Sequence, residues 1–184
     1  MRVGELLDKI RELYLTKFIE EINLIGGDKE IIVEPALRDS EGNIVAEGLL
    51  NSGSRVDLAI SGDAIETINF DFNEMLSFQE LEFRWENSVT IKLNPFTWDY
   101  CQLVLTGDIT DWTPLKEWYK KWFAENPSEN SVLLDCIHFV SDPEKIAQGY
   151  LIYIDFGSAD VAAIEEVFDA AKAMGALEVI VGNA

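Results

Sequence analysis

The chain predicts an α+β fold: an N-terminal helix, an antiparallel β-meander, and then a β-α-β-β-α-β sandwich. Three observations carry this. Apolar residues recur every three or four positions near the N-terminus, alternate with polar ones from about residue 30 to 95, and switch between the two periods four times after residue 98. The expected division is residues 1–97 for the helix and meander and 98–184 for the sandwich, packed as one compact unit. At 184 residues with 48% hydrophobic content, the chain has enough apolar surface for such a core.

From Glu5 to Ile22, Leu6, Leu7, Ile10, Leu13, Tyr14, Phe18 and Ile22 form one helical stripe, with Lys9, Arg11, Glu12, Lys17 and Glu21 between them. "GGD" at Gly26 to Asp28 ends it. "EIIVEPAL" and "IVAEGLL" flank the turn-rich "RDSEGN" and read as a hairpin, with Pro35 favouring an edge. "SRVDLAISGDAIETINFDF" alternates Val56, Leu58 and Ile60 with polar neighbours and resumes after "SGD" with Ile65, Ile68, Phe70 and Phe72. In "LEFRWENSVTIKLNPF", Leu81, Phe83 and Trp85 face one way, "ENS" turns the chain, and Val89, Ile91 and Leu93 answer them. A sheet with one solvated face produces this alternation.

The C-terminal part runs in order through strand-like "YCQLVLTG", the helical "DWTPLKEWYKKWF", strand-like "SVLLDCIHFV", the polar turn "SDPEKIAQ", strand-like "GYLIYIDFG", the helical "ADVAAIEEVFDAAKAM" and "LEVIVG". This order resembles the ferredoxin-like, or split βαβ, fold over roughly Asp99 to Gly182. A weak internal repeat agrees with it. "YCQLVLTG" aligns with "YLIYIDFG", and Asp111, Leu115, Trp118, Tyr119 and Trp122 align with Asp160, Ile164, Val167, Phe168 and Ala171. The second set is core-like, so Trp118 and Trp122 are expected to pack on the sheet, with Asp111 or Thr113 capping the helix and Pro114 in its first turn.

Fourteen Lys+Arg against 34 Asp+Glu leave a net charge of −20, which repels nucleic acid and anionic membrane. No apolar run approaches the ~20 residues of a membrane span, so a cytoplasmic protein is the expectation. Lys116, Lys120 and Lys121 lie off the Trp stripe and form the one local cationic patch. It reads as a solvated helix face, with an anion site or a homodimer contact as the sharper alternative. Trp112 lies just ahead of the helix and shares that candidate surface. The acidic excess is uneven: residues 41–86 hold ten carboxylates, among them Asp71, Glu74, Glu80, Glu82 and Glu86, against Arg55 and Arg84. Most such excess is solubilising; its functional reading is steering toward a basic partner.

Catalytic signatures are missing. Asp71 and Glu74 in "NFDFNE" sit near a turn, and Asp108 follows a strand, without a nucleophile or oxyanion donors beside them. His138 is the only histidine and reads as a strand residue. A zinc site from Cys101, Cys136 and His138 would require distant strands to converge and lacks close-spaced ligand pairs, so two buried thiols and no metal are expected. "GDITD" and "GSAD" match no nucleotide-binding pattern, and no cofactor is expected.

In size, acidity and aromatic-rich stretches such as "NPFTWDY" and "DWTPLKEWYKKWF", the chain resembles bacterial immunity proteins of polymorphic toxin and contact-dependent inhibition systems. That resemblance implies a non-catalytic protein that occludes a basic toxin with acidic and aromatic side chains. Two other readings stand beside it: a small-molecule-sensing regulatory domain, since ferredoxin-like units often pair edge to edge, and an enzyme working through Asp71, Glu74 or Asp108.

Overall fold

The computed structural model describes residues 2–25, 30–62, 64–123 and 133–182. The turns expected at Gly26–Asp28 and at Asp63 fall outside them, as do the first two residues of "SVLLDCIHFV". Helix α1 spans Val3–Ile25 and buries Leu6, Leu7, Ile10, Tyr14 and Phe18, the stripe that its periodicity requires.

Two sheets follow. The smaller is β1 (Ile31–Val33), β2 (Leu58–Ile60) and β3 (Glu66–Ile68), antiparallel with β2 in the middle. The larger has β4 (Leu81–Trp85), β5 (Val89–Leu93), β10 (Glu178–Gly182), β6 (Cys101–Thr106), β9 (Gly149–Asp155) and β7 (Phe139–Val140) side by side, with β8 (Glu144–Ile146) also pairing β9. Helices α2 (Thr113–Phe123) and α3 (Ala162–Ala173) connect β6 to β7 and β9 to β10. The run β6-α2-β7-β9-α3-β10, with antiparallel neighbours in the order β10-β6-β9-β7, is the βαββαβ arrangement of a ferredoxin-like sandwich.

The β4–β5 hairpin forms in the expected register, Leu81 opposite Leu93, Phe83 opposite Ile91 and Trp85 opposite Val89. Glu86 and Asn87 make its turn at positive φ. The hairpin does not belong to a separate meander, however. β5 lies parallel to β10, so the hairpin extends the larger sheet, and the Trp85 and Phe83 rings meet Phe168 of α3 at 5.4 and 6.4 Å. One apolar cluster contains Leu6 and Phe18 of α1, Ile91 of β5, Leu103 of β6 and Phe168 of α3.

Four expectations are corrected. "EIIVEPAL" and "IVAEGLL" do not form a hairpin ladder. The turn between them exists, because Asp39 Oδ1 accepts the N–H groups of Glu41 and Asn43, but only the Arg38–Ile44 bridge follows it, and β1 pairs with β2 instead. Glu34, at φ 52°, bends the chain out of β1 before any ladder can extend. "SVLLDCIHFV" yields only the short β7, since the N–H groups of Cys136, Ile137 and His138 go to Ser158 Oγ, Trp122 O and Asp155 O. The "SDPEKIAQ" turn contains β8. "RVDLAI" has no solvated face either: Arg55, Val56, Asp57, Leu58, Ala59 and Ile60 are all buried.

The internal repeat shows itself at the helix starts. Asp111 Oδ1 accepts the N–H of Thr113, and Asp160 Oδ1 accepts that of Ala162, so the aligned aspartates cap α2 and α3 alike. At the start of β9, Gly149 has φ +152°, and a Cβ there would lie 2.0 Å from Leu105 O. Gly149→Ala is expected to cost about 1–3 kcal/mol in urea unfolding, because the backbone of β6 cannot yield as a side chain would.

Candidate functional site

The residues expected to bind a partner divide into three places. On α2, Trp118 is buried and its Nε1–H donates to Ala163 O at 2.9 Å, whereas Trp122 is only partly buried and donates to Glu166 Oε2 at 2.9 Å. Lys121 contacts the same Glu166 at 2.6 Å, and Lys120 pairs with Glu117 at 3.1 Å. Lys116 is half-buried at the helix start, and Trp112 sits edge-on to Tyr150 at 5.0 Å. The basic face of α2 is therefore largely neutralised by its own helix and by α3. Lys120 does line an open cleft of about 610 Å³ with Arg38, Asn51 and Tyr119.

Glu80, Glu82 and Glu86 are exposed along the outer strand β4 and its turn. Glu82 stands opposite Lys92, and Glu86 bonds Lys172. Charge on an unpaired edge strand discourages further strand addition, and this suffices to explain Glu80, Glu82 and Arg84.

Asp71 and Glu74 belong to a different place. The strandless segment after β3 lays Phe70 and Phe72 against Phe18 and Tyr14 of α1, with centroids 5.8 Å apart for Phe18–Phe70 and 5.2 Å for Tyr14–Phe72. This packing leaves a cleft of about 390 Å³ whose walls include Phe70, Phe72, Met75 and Tyr100, with Asp71 and Asp99 as its acids. Glu74 lines the adjoining small cavity with Asp99 and reaches Lys17 at 3.8 Å. Tyr100 is 50% and Met75 46% exposed, so the cleft offers apolar surface to a visitor. Trp112, Lys116, Lys120, Lys121, Glu80, Glu82 and Glu86 do not line it, and Asp108 lies exposed in the β6–α2 turn.

Asp99 is the acid that sequence reasoning missed. Its Oδ2 accepts the N–H of Phe72 at 3.4 Å. Burial, with the charge of Asp155 adding, pushes its carboxyl up to about 6. Among the described residues, neither Asp99 nor Asp71 has a cation in an ion pair. "TWDY" gives no hint of this, because the burial comes from segment 70–76 folding over it.

A second polar group centres on the enclosed pair Glu34 and His138, with Asp155 at its partly exposed side. Glu34 is 0% and His138 1% exposed, and His138 Nε2 lies 2.8 Å from Glu34 Oε1. His138 Nδ1 faces Asp57 Oδ1 at 3.2 Å and Asp155 Oδ2 at 3.6 Å. Backbone N–H groups of Leu134 and Ser158 donate to Glu34 at 2.6 and 3.0 Å, and Phe70 N–H donates to Asp57 at 2.6 Å. Arg55 donates to the carbonyls of Glu34 and Phe123 and lies over the Phe123 ring. Burial disfavours the imidazolium, but Asp155, Asp57 and Glu34 outweigh it and hold His138 well above its ordinary range. Burial would likewise raise Glu34, yet His138, Ser158 and Leu134 bring it below the usual carboxylate range. Such a group fastens the smaller sheet to the larger; enclosed at 0–1% exposure, its Glu34–His138 pair cannot meet a substrate from solvent.

The structure does not gather Cys101 with Cys136 and His138. Cys101 is fully buried in β6, where burial pushes its thiol far up, and the atoms that converge are those of Glu34, Cys136 and His138. The signal for this group was charge within apolar runs, as in "IIVEP", "RVDLAI", "CIHFV" and "IYIDFG". Among the described residues no helix is long and apolar enough to cross a membrane. Comparison of the chain with protein-family models, curated proteins and solved structures gives no match.

Proposed function

We propose that this chain is a non-catalytic binding protein that docks a basic protein partner at the Asp71–Asp99 cleft, the mode that the resemblance to immunity proteins implies. One observation carries the reading: a partly buried Asp99, in an aromatic-walled cleft, without a counter-charge of its own. A lysine or arginine entering there meets two carboxylates and the faces of Phe72 and Tyr100, which favour a cation by Coulomb attraction and by ring quadrupole. The surrounding acidic surface adds long-range steering. Several surface cations among the described residues are already paired with carboxylates, as in Lys92–Glu178 at 2.7 Å and Arg11–Asp135 at 3.6 Å, which leaves acids in large excess at a net charge of −20.

Stopped-flow association with cationic protein candidates, starting with the product of the adjacent gene, tests this. Association is expected to slow by about tenfold or more from low to high salt, and the double variant Asp71→Asn/Asp99→Asn to weaken the complex by about 2–5 kcal/mol. A complex that forms at a salt-independent rate and ignores the double variant would sink the reading.

A further inference from the structure

We propose that Glu34, Cys136 and His138 form a structural binding site for one zinc(II) ion, taken up as the chain folds. The proposal is independent of the binding cleft. One carboxylate oxygen of Glu34, Cys136 Sγ and one ring nitrogen of His138 all lie within 4.8 Å of one another, and all three residues are buried. An oxygen, a thiol sulfur and an imidazole nitrogen are the donors that a borderline-soft divalent ion accepts; to reach tetrahedral zinc distances the widest separation contracts by about 1 Å and the 2.8 Å Glu34–His138 contact opens by about 0.5 Å. Cys136 and His138 lie two apart in the strandless segment that leads into β7, and both are buried. Ser158 Oγ, 3.3 Å from Cys136 N, is a fourth donor atom nearby.

The surroundings are those of a metal ligand set. A zinc-bound histidine ordinarily gives its other ring N–H to a carboxylate, and His138 Nδ1 faces Asp57 and Asp155. Glu34 is oriented by two backbone N–H groups and held at φ 52°, a conformation that costs energy in a residue with a side chain. At Gly157 a Cβ would lie 2.6 Å from His138 Nε2, so only glycine leaves that nitrogen's edge clear. Three carboxylates, Glu34, Asp57 and Asp155, face one imidazole, with the Arg55 guanidinium as the other cation of the group, so the carboxylates still outnumber the cations.

The charge balances. One Zn²⁺ displaces the Nε2 proton of the imidazolium and the Sγ proton of Cys136, so two protons leave as two positive charges enter. A proton shared in the Glu34–His138 bond occupies, without metal, the place that zinc takes. The ligands come from sequence stretches a hundred residues apart, so the site exists only in the folded chain and its binding energy adds to folding.

The test is refolding from guanidinium, with Zn²⁺ or with EDTA, followed by dialysis and metal analysis. One tightly held zinc per chain is expected, with a higher thermal midpoint than the EDTA sample and release of two protons per zinc by calorimetry in buffers of different ionisation enthalpy. Cobalt(II) in its place is expected to show a thiolate charge-transfer band. Cys136→Ala leaves the Glu34–His138 bond intact and is expected to weaken zinc binding by about 100-fold or more and to abolish the band. Wild-type protein that refolds without retaining zinc overturns the proposal, as does zinc held equally well by Cys136→Ala, which marks adventitious surface binding.

Discussion

Replacing His138 by leucine lowers the stability of the fold by about 3–5 kcal/mol in urea unfolding with EDTA present, because it leaves Glu34 and Asp57 charged, buried and without their shared partner. Glu34 at 0% and His138 at 1% exposure have no solvent to turn to. Much of the stability of a domain, ordinarily about 5–15 kcal/mol, is at stake in that one side chain. A loss below about 1 kcal/mol would mean that the carboxylates take up protons in the folded state and that the imidazole holds little together.

Asp99→Asn has the opposite sign. Its carboxyl titrates near 6 in the folded chain, whereas an unfolded aspartate titrates at about 3.9. Below about pH 3 both states carry the proton and the residue costs nothing. As pH rises through 4 to 6 the unfolded state ionises first, and stability is lost until the folded carboxyl also ionises. Two pKa units correspond to about 3 kcal/mol, and solvent screening of this partly exposed group reduces the expected gain for Asp99→Asn to about 1–2 kcal/mol at pH 8. Almost no gain is expected at about pH 3. A gain of equal size at both values would assign it to packing. The same variant weakens partner binding, as expected of an acid kept for function at the expense of the fold.

The helices and the β4–β5 hairpin were legible because their signals are local. Leu6 to Phe18 recur at helical spacing, Leu81, Phe83 and Trp85 alternate, and the alignment of Asp111 with Asp160 located two caps. Pairing across long separations was not legible. Nothing periodic tells Val33 to seek Leu58 or Val89 to lie beside a strand that begins at Glu178. The candidate site was half visible. Asp71 and Glu74 stand in a segment whose acids and aromatics are plain, whereas Asp99 gained its character from burial, and Glu34, Asp57 and Asp155 were indistinguishable from solvated positions until their apolar neighbours closed around them.

The interior position of β10 bears on how the protein is made. Val179 and Val181 of β10 are fully buried between β5 and β6, yet they are synthesised after every other described strand. Until they leave the ribosome, the β4–β5 ribbon and the β6–β9 pair each carry an open inner edge with apolar side chains alongside. Ribosome-bound intermediates that end before Glu178 should therefore recruit holdase chaperones, and the last strand acts as the keystone whose arrival commits the nascent chain to one native state.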